Sequence, residues 1–187
     1  AGLGMQACHG NDHGHPRNPV FLGATMERIY LDNAATTQLD PEVIDAMLPY
    51  MREHFGNPSA VHAYGRKARA GIEQARRKVA SLLHCAPGET VFTSCGTEAD
   101  NMAILGAVRD LGVQHVITSP IEHHAVEHVA LELERTKEAD VHWVRLTPEG
   151  KADLAHVEEL LKAHDHVLVS LMHANNETGT ITSIEKV

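Results

Sequence analysis

The 187-residue sequence has few aromatic residues, few cysteines and a deficit of positive charge. Its 16 Lys and Arg against 25 Asp and Glu leave a net charge of −9, which argues against nucleic-acid binding because phosphates need clustered basic side chains. Three scattered cysteines, Cys8, Cys85 and Cys95, do not suit a disulfide framework, so a cytoplasmic location is expected. We find neither a run of about 18 apolar residues nor a secretory signal, so no membrane association is predicted.

Histidine is abundant, with 15 copies. Several lie in a leader, residues 1–25, that includes Cys8, His9, His13 and His15. Such a tract can bind metal loosely, but Gly and Pro separate the ligands, and no second cluster shows zinc-site spacing. A disordered or extraneous leader over residues 1–25 is therefore expected to precede a folded region over residues 26–187.

The folded region alternates apolar runs with amphipathic stretches, which is typical of an α/β domain with a mostly parallel sheet. Helices are predicted over residues 41–53, 64–83, 97–111, 125–135 and 153–163. Strands are predicted over residues 91–93, 115–118, 141–144 and 167–171, the last apolar enough to be covered on both faces. Asp40 is expected to cap the first helix, and Pro49 to kink it or end it early.

Ligands of α/β sheets bind where strands end at their carboxyl edge, and residues 93–101 form the first polar segment at such a place. Helix N–H groups and the positive end of the helix dipole can bind a phosphate there, with Gly96 allowing close approach beside Thr97. Ordinary capping by Thr97 with Asp100 is the alternative. Cys95 has the position of a reactive thiol, but nothing in the sequence pairs it with a base.

Two further polar segments follow later strands. In the first, His123 could move protons or stack on a planar ligand, whereas His124 and His128 could form a metal pair or remain solvated. We find no carboxylate or third histidine that completes a metal triad with them. In the second, Asn175 and Asn176 could donate to a ligand oxygen or stabilise a turn.

Several segments, in order and spacing, resemble the N-terminal half of NifS/IscS-type cysteine desulfurases, which are aminotransferase class V enzymes that use pyridoxal 5′-phosphate (PLP). The resemblance covers about residues 27–187. The matching segments are Tyr-Leu-Asp-Asn-Ala-Ala-Thr-Thr at 30–37, Phe-Gly-Asn-Pro-Ser at 55–59 with His62, Gly65 and Arg66, Phe-Thr-Ser-Cys-Gly-Thr-Glu at 92–98, Glu122 with His123, and Asn-Asn-Glu-Thr-Gly at 175–179.

The resemblance implies an incomplete large domain of the fold type I PLP-dependent transferases, with three layers and a mostly parallel sheet. Gly96 and Thr97 match the positions that hold the cofactor phosphate. His123 matches the histidine that stacks on the pyridine ring and assists proton transfer, so it is the expected catalytic residue. Asn176 matches the asparagine that hydrogen-bonds the phenolic oxygen, and no metal is expected at this site.

The implied reaction converts L-cysteine to L-alanine and an enzyme persulfide. The family's pyridinium-binding Asp, Schiff-base lysine and persulfide cysteine match no motif in this sequence, and Lys186 matches none either, so the chain alone is expected to be inactive. A homodimer that passes sulfur to an Fe–S scaffold or carrier protein is implied for the full-length enzyme. The alternatives are another aminotransferase class V enzyme, such as a selenocysteine lyase, or a noncatalytic metal-binding fragment using the leader with His123, His124 and His128.

Overall fold

The computed structural model describes residues 29–187, so the leader and its histidines lie outside the described residues. Residues 29–36 belong to a separate compact unit from residues 37–187. In the first unit, the backbone N–H groups of Ala35 and Thr36 donate to the carbonyl of Asp32 at 3.2 and 3.3 Å, which forms a turn. The remaining description concerns residues 37–187.

Five α-helices and three strands make up this second unit. The helices are α1 (Pro41–Arg52), α2 (Ala63–Leu82), α3 (Gly96–Asp110), α4 (His124–Thr136) and α5 (Leu154–Ala163). The strands are β1 (His115–Thr118), β2 (Asp140–Trp143) and β3 (Val167–Val169). Short 3₁₀ helices lie at Pro87–Glu89 and Ile184–Lys186. None of the helices within residues 29–187 combines the length and apolar character needed to cross a lipid bilayer.

Helix α1 begins as predicted but continues past its proline. The Asp40 carboxylate accepts from the Glu42 backbone N–H at 2.8 Å, which confirms the predicted cap. The expected early stop at Pro49 is wrong, since α1 runs on to Arg52. Pro49 donates no hydrogen bond, but its carbonyl still accepts from the Glu53 N–H at 2.8 Å, so the helix continues beyond it.

The predicted strand over residues 91–93 is also wrong. Within the described residues this segment joins no ladder, and a strand needs a hydrogen-bonded neighbour as well as an apolar sequence. Contacts to α2 hold the segment instead. The Arg76 guanidinium donates to the Thr90 carbonyl and lies over the Phe92 ring, 4.9 Å from its centroid.

The three strands form a parallel sheet in the order β2-β1-β3, which confirms the predicted α/β class. Central strand β1 is the most buried: Val116 is packed among side chains of α3 and α4, and Ile117 is packed with Val157 of α5. Helices therefore cover both faces. At the edge of the described sheet, β3 is only half-buried, unlike the fully covered strand predicted from its apolar sequence.

Candidate functional site

Two of the predicted site residues share one pocket at the carboxyl edge of the sheet. His123 follows β1, and Asn176 follows β3, which pairs with β1 in parallel. Because parallel neighbours end at the same edge, the two connecting loops meet. They enclose a pocket of about 360 Å³, lined by Ile121, Glu122, His123, His124, Asn175, Asn176, Glu177 and Thr178.

Glu122 holds this pocket's first loop in place. Its Oε1 accepts from the Ser119 hydroxyl at 2.7 Å and from the Met172 backbone N–H at 2.8 Å. Burial raises the pKa of Glu122, while these two hydrogen bonds oppose the rise. The half-buried carboxyl therefore fixes the position of the residue next to it, His123.

His123 caps helix α4 with its own ring. It lies in extended backbone, and its Nδ1 accepts from the Ala125 backbone N–H at 3.1 Å. A nitrogen that accepts an N–H carries no proton, so a neutral His123 ring has its proton on Nε2. The cap fixes both the ring's position and its tautomer, leaving Nε2 for a ligand.

The adjacent asparagines have different roles. Asn175 is buried: its Oδ1 accepts from the backbone N–H groups of Glu177 and Thr178 at 2.9 and 2.8 Å, and its Nδ2 donates to the Ile121 carbonyl at 2.9 Å. Asn176 is exposed, and its Nδ2 donates only locally, to the Glu177 carboxylate at 2.9 Å. Turn stabilisation, one of the two interpretations of the pair, therefore describes Asn175, while Asn176 faces solvent in the pocket wall.

The other two predicted residues lie at the start of α3. Cys95 is the N-cap residue, so Gly96 and Thr97 belong to the first turn, and the alternative in which Thr97 caps the helix is wrong. The carboxylate of Glu98 instead accepts from the Ser94 backbone N–H at 2.6 Å. A Cβ built on Gly96 would have no atom within 4 Å, so this backbone is open to a ligand.

The first turn of α3 favours negative charge. Cys95 is exposed, and the backbone N–H of Glu98, followed by the Ser94 side chain, lowers the pKa of its thiol. Unpaired N–H groups and the helix dipole have this effect on any anion. The donors that stabilise a thiolate are of the type that bind a phosphate.

Asn101 connects this helix start to that of α4. Its Nδ2 donates to the Thr97 carbonyl at 2.8 Å and to the Ala125 carbonyl at 3.1 Å. The phosphate-binding turn predicted at Gly96 and Thr97 is therefore adjacent to the helix that His123 caps, although neither residue lines the 360 Å³ pocket.

Residues 29–187 match the family model for aminotransferase class V. The chain belongs to the aminotransferase class V family. It is 45% identical over 160 residues to a protein of Archaeoglobus fulgidus named cysteine desulfurase IscS 1, covering 84% of this chain and 41% of that protein. Aminotransferase class V enzymes and NifS-like cysteine desulfurases depend on PLP.

Two solved structures of this type superimpose on the chain. A NifS-like protein is 37% identical with a TM-score of 0.76, covering 85% of this chain and 44% of that one. A protein named SspA, solved in complex with cysteine, is 36% identical with a TM-score of 0.72, covering 82% and 44%. The chain spans about two fifths of the length of the curated relatives that it matches.

The site residues of this aminotransferase class V chain suit PLP. The start of α3 favours an anion, and the open backbone at Gly96 lets a phosphate approach. The His123 ring, whose tautomer is fixed, can stack on an aromatic ring, and the exposed Asn176 amide can donate to a phenolic oxygen.

Sequence reasoning did not predict the long-range hydrogen bonds that position this site. Glu122, Asn175 and Asn101 make these bonds, and all three lie in segments that the sequence analysis had singled out. It was also wrong to expect no carboxylate beside the pair formed by His124 and His128. Glu127 accompanies them, and its Oε2 lies 2.8 Å from His124 Nδ1.

A larger cavity of about 650 Å³ lies elsewhere, between α1, the loop after it and α2. Its walls are mostly apolar and contain none of the predicted site residues. Cavity volume alone therefore does not identify the candidate site. Polar groups from the loops after β1 and β3, together with the adjacent start of α3, identify it.

Proposed function

We propose that this chain carries the PLP-binding part of a cysteine desulfurase, which converts L-cysteine to L-alanine and an enzyme persulfide. The observation that carries the proposal is the single pocket in which His123 and Asn176 meet, next to the anion-favouring start of α3. The names of the relatives and the complex of SspA with cysteine support cysteine as the substrate.

Each predicted residue has a distinct task in this proposal. The first turn of α3, at Gly96 and Thr97, would hold the cofactor phosphate through backbone N–H groups and the Thr97 hydroxyl. The His123 ring would stack on the pyridine ring. Asn176 Nδ2 would exchange its bond to Glu177 for one to the phenolic oxygen.

When bound, PLP supplies an electron sink for negative charge at the substrate carbon. While Nδ1 accepts the Ala125 N–H, Nε2 carries the proton of the neutral ring and can donate a hydrogen bond; His123 would accept a proton at Nε2 only once Nδ1 has released that N–H and taken the ring proton. A hydrogen bond donated by Asn176 would stabilise negative charge on the phenolic oxygen. The chain's own residues would therefore bind and orient the cofactor, and His123 would move a proton once its cap opens.

The proposal extends to a cytoplasmic homodimer that passes sulfur to an Fe–S scaffold or sulfur-carrier protein. The supports are the few, scattered cysteines of the sequence and the relatives that carry the IscS name. Within the described part of the chain, Cys85 and Cys95 form no disulfide, in keeping with a reducing compartment.

Measuring the L-alanine and sulfide released from L-cysteine tests the activity. The chain would be supplied with PLP and a thiol reductant, alone and co-expressed with the part of the Archaeoglobus fulgidus relative that it does not cover. We expect no turnover by the chain alone. The co-expressed pair should turn over L-cysteine, and this activity should be lost when the chain carries His123→Asn. Turnover of L-selenocysteine with none of L-cysteine would instead identify a selenocysteine lyase.

Binding of PLP to the chain alone provides the independent control. A change in cofactor absorbance with the wild-type chain, reduced in Asn176→Ala, supports the site even before turnover is measured. A wild-type chain that folds but leaves the PLP spectrum unchanged contradicts the proposal.

A further inference from the structure

Three histidines that are distant in sequence meet on one face of the sheet. His115 is the first residue of β1, His142 lies on β2, and His164 follows α5 as its C-cap residue. All three are half-buried. The ring centroid of His164 is 4.3 Å from those of both His115 and His142, which are 5.3 Å from each other.

The ring nitrogens converge on one point. One nitrogen from each histidine lies within 4.8 Å of the other two, and His115 Nδ1 is 3.2 Å from His142 Nε2. Two nitrogens bound tetrahedrally to zinc at about 2.0–2.1 Å are separated by about 3.3 Å. The nitrogens of His115 and His142 therefore already have the separation of two zinc ligands, and the His164 nitrogen needs a small shift.

We propose that His115, His142 and His164 bind a divalent transition-metal ion, with Zn²⁺ as the ion that fits best. Three imidazoles in a tetrahedral set are a recurrent zinc site, with a fourth position for water or a carboxylate. Asp140 offers that carboxylate, because its Oδ2 lies 3.7 Å from His115 Nδ1.

A simple hydrogen-bonded cluster explains less of this arrangement. One N–H···N bond satisfies two of the nitrogens, but the third ring stacks on the other two without a polar contact inside the cluster among the described residues. His156, also nearby, uses its Nδ1 to accept from the Arg145 N–H at 3.0 Å.

The cluster is separate from the proposed cofactor site. His115 begins β1, whereas the pocket of His123 lies beyond Thr118, its last residue, so the two sites lie toward opposite ends of a strand about 10 Å long. A bound ion would join β1, β2 and the α5–β3 connection. It would stabilise the fold by binding the native state and not the unfolded chain.

Zn²⁺ titration against a chromophoric chelator tests the site, with Co²⁺ absorbance as a report on geometry. The background is the full chain with Cys8, His9, His13 and His15 replaced by alanine, so that the leader contributes no histidine or cysteine ligand. We expect one Zn²⁺ per chain, a tetrahedral Co²⁺ spectrum and a raised melting temperature. Mg²⁺ should have none of these effects.

The matched variants locate the ion. His164→Ala and His142→Asn should each weaken Zn²⁺ binding by more than the roughly 10- to 100-fold that loss of an outer-shell partner costs. The double variant His124→Ala/His128→Ala, which removes the exposed cluster on α4, should bind as the background does. Equal Zn²⁺ affinity in the background and in His164→Ala, or loss of binding in the α4 double variant, would overturn the proposal.

Misfolding of a variant does not remove the test. His164 lies outside a helix and a strand, so His164→Ala should keep the circular dichroism spectrum even if His142→Asn does not. The background chain alone also decides: an octahedral Co²⁺ spectrum, or no increase in melting temperature with Zn²⁺, contradicts a three-histidine site.

Discussion

Glu122 accepts a hydrogen bond at 2.8 Å from the backbone N–H of Met172, fifty residues further along the chain. The bond ties the loop that carries His123 to the segment that leads to Asn176. The Asn175 amide repeats the connection through the Ile121 carbonyl at 2.9 Å. Both walls of the pocket are therefore held by side chains that flank the predicted ligand-binding residues.

Removing the Glu122 side chain should loosen the pocket. Glu122→Ala leaves the Met172 N–H and the Ser119 hydroxyl without their acceptor, which we expect to cost about 1–3 kcal/mol of unfolding free energy. Glu122→Gln keeps Oε1 for both donors and should cost less. Urea denaturation measures the difference, and equal losses in the two variants would contradict this role.

The pH dependence of stability should also change at Glu122. Burial raises its pKa in the folded state above the ordinary value of 4.5, so the folded chain holds this proton more tightly than the unfolded chain. The stabilisation that this protonated carboxyl gives the folded state is complete below pH 4.5 and is lost as the pH rises through the raised pKa. Relative to wild type, Glu122→Gln should therefore gain unfolding free energy as the pH increases from 4.5. The exposed Glu98→Gln serves as a control in which no such gain is expected, because hydrogen bonds from Ser94 lower that pKa.

Two substitutions separate the capping role of His123 from its ligand role. His123→Ala removes the cap of α4 and should cost about 0.5–2 kcal/mol of stability. His123→Asn restores a side-chain acceptor and should recover most of that loss. Both variants lack the ring, so PLP affinity should fall in both, as measured by absorbance titration. Wild-type PLP affinity in His123→Asn would contradict ring stacking.

The two asparagines should respond in opposite ways. Asn175→Ala removes an acceptor of two backbone N–H groups and a donor to Ile121, so we expect a loss of about 1–3 kcal/mol in unfolding free energy. Asn176→Ala removes one exposed contact and should leave stability unchanged while altering the absorbance of bound PLP. A stability loss in Asn176→Ala equal to that in Asn175→Ala would contradict the assignment.

Cys95 should react faster than Cys85 with iodoacetamide. The Glu98 N–H and the Ser94 side chain lower the pKa of the exposed Cys95 thiol, whereas Cys85 is half-buried. A phosphate at the start of α3 would cover Cys95, so PLP should slow its alkylation. Peptide mass mapping distinguishes both cysteines from Cys8, and an unchanged Cys95 rate with saturating PLP would place the phosphate elsewhere.

The repeated alternation of strand and helix was readable from the sequence because it is local. Strand β1 was predicted at its observed bounds, and α5 begins one residue after its predicted start, because Asp153 is its N-cap residue. The wrong predictions concern features that depend on the neighbouring backbone and not on the local sequence alone. The segment 91–93 has an apolar strand sequence but no neighbouring strand in the described chain, and Pro49 removes one donor without ending α1.

The candidate site shows the same division. Gly96, Thr97, His123 and Asn176 were predicted from local motifs, and only those of His123 and Asn176 follow observed strands. The bonds of Glu122 to Met172 and of Asn101 to Ala125 join segments 50 and 24 residues apart, which no local pattern reveals. The cluster of His115, His142 and His164 was missed for the same reason, since its members have no metal-site spacing and meet only through the sheet register.

The most direct test of the proposed cofactor site compares PLP with pyridoxal, which lacks the phosphate, on the wild-type chain and on Gly96→Ala. A Cβ on Gly96 meets no protein atom, so Gly96→Ala should fold normally but block the phosphate; Gly106→Ala, in the same helix, is the matched control. We predict that the wild-type chain and Gly106→Ala bind PLP at least about tenfold more tightly than pyridoxal, a preference of about 1.4 kcal/mol. Gly96→Ala should lose that preference. Equal affinities for PLP and pyridoxal in the wild-type chain would contradict a phosphate site at the start of α3.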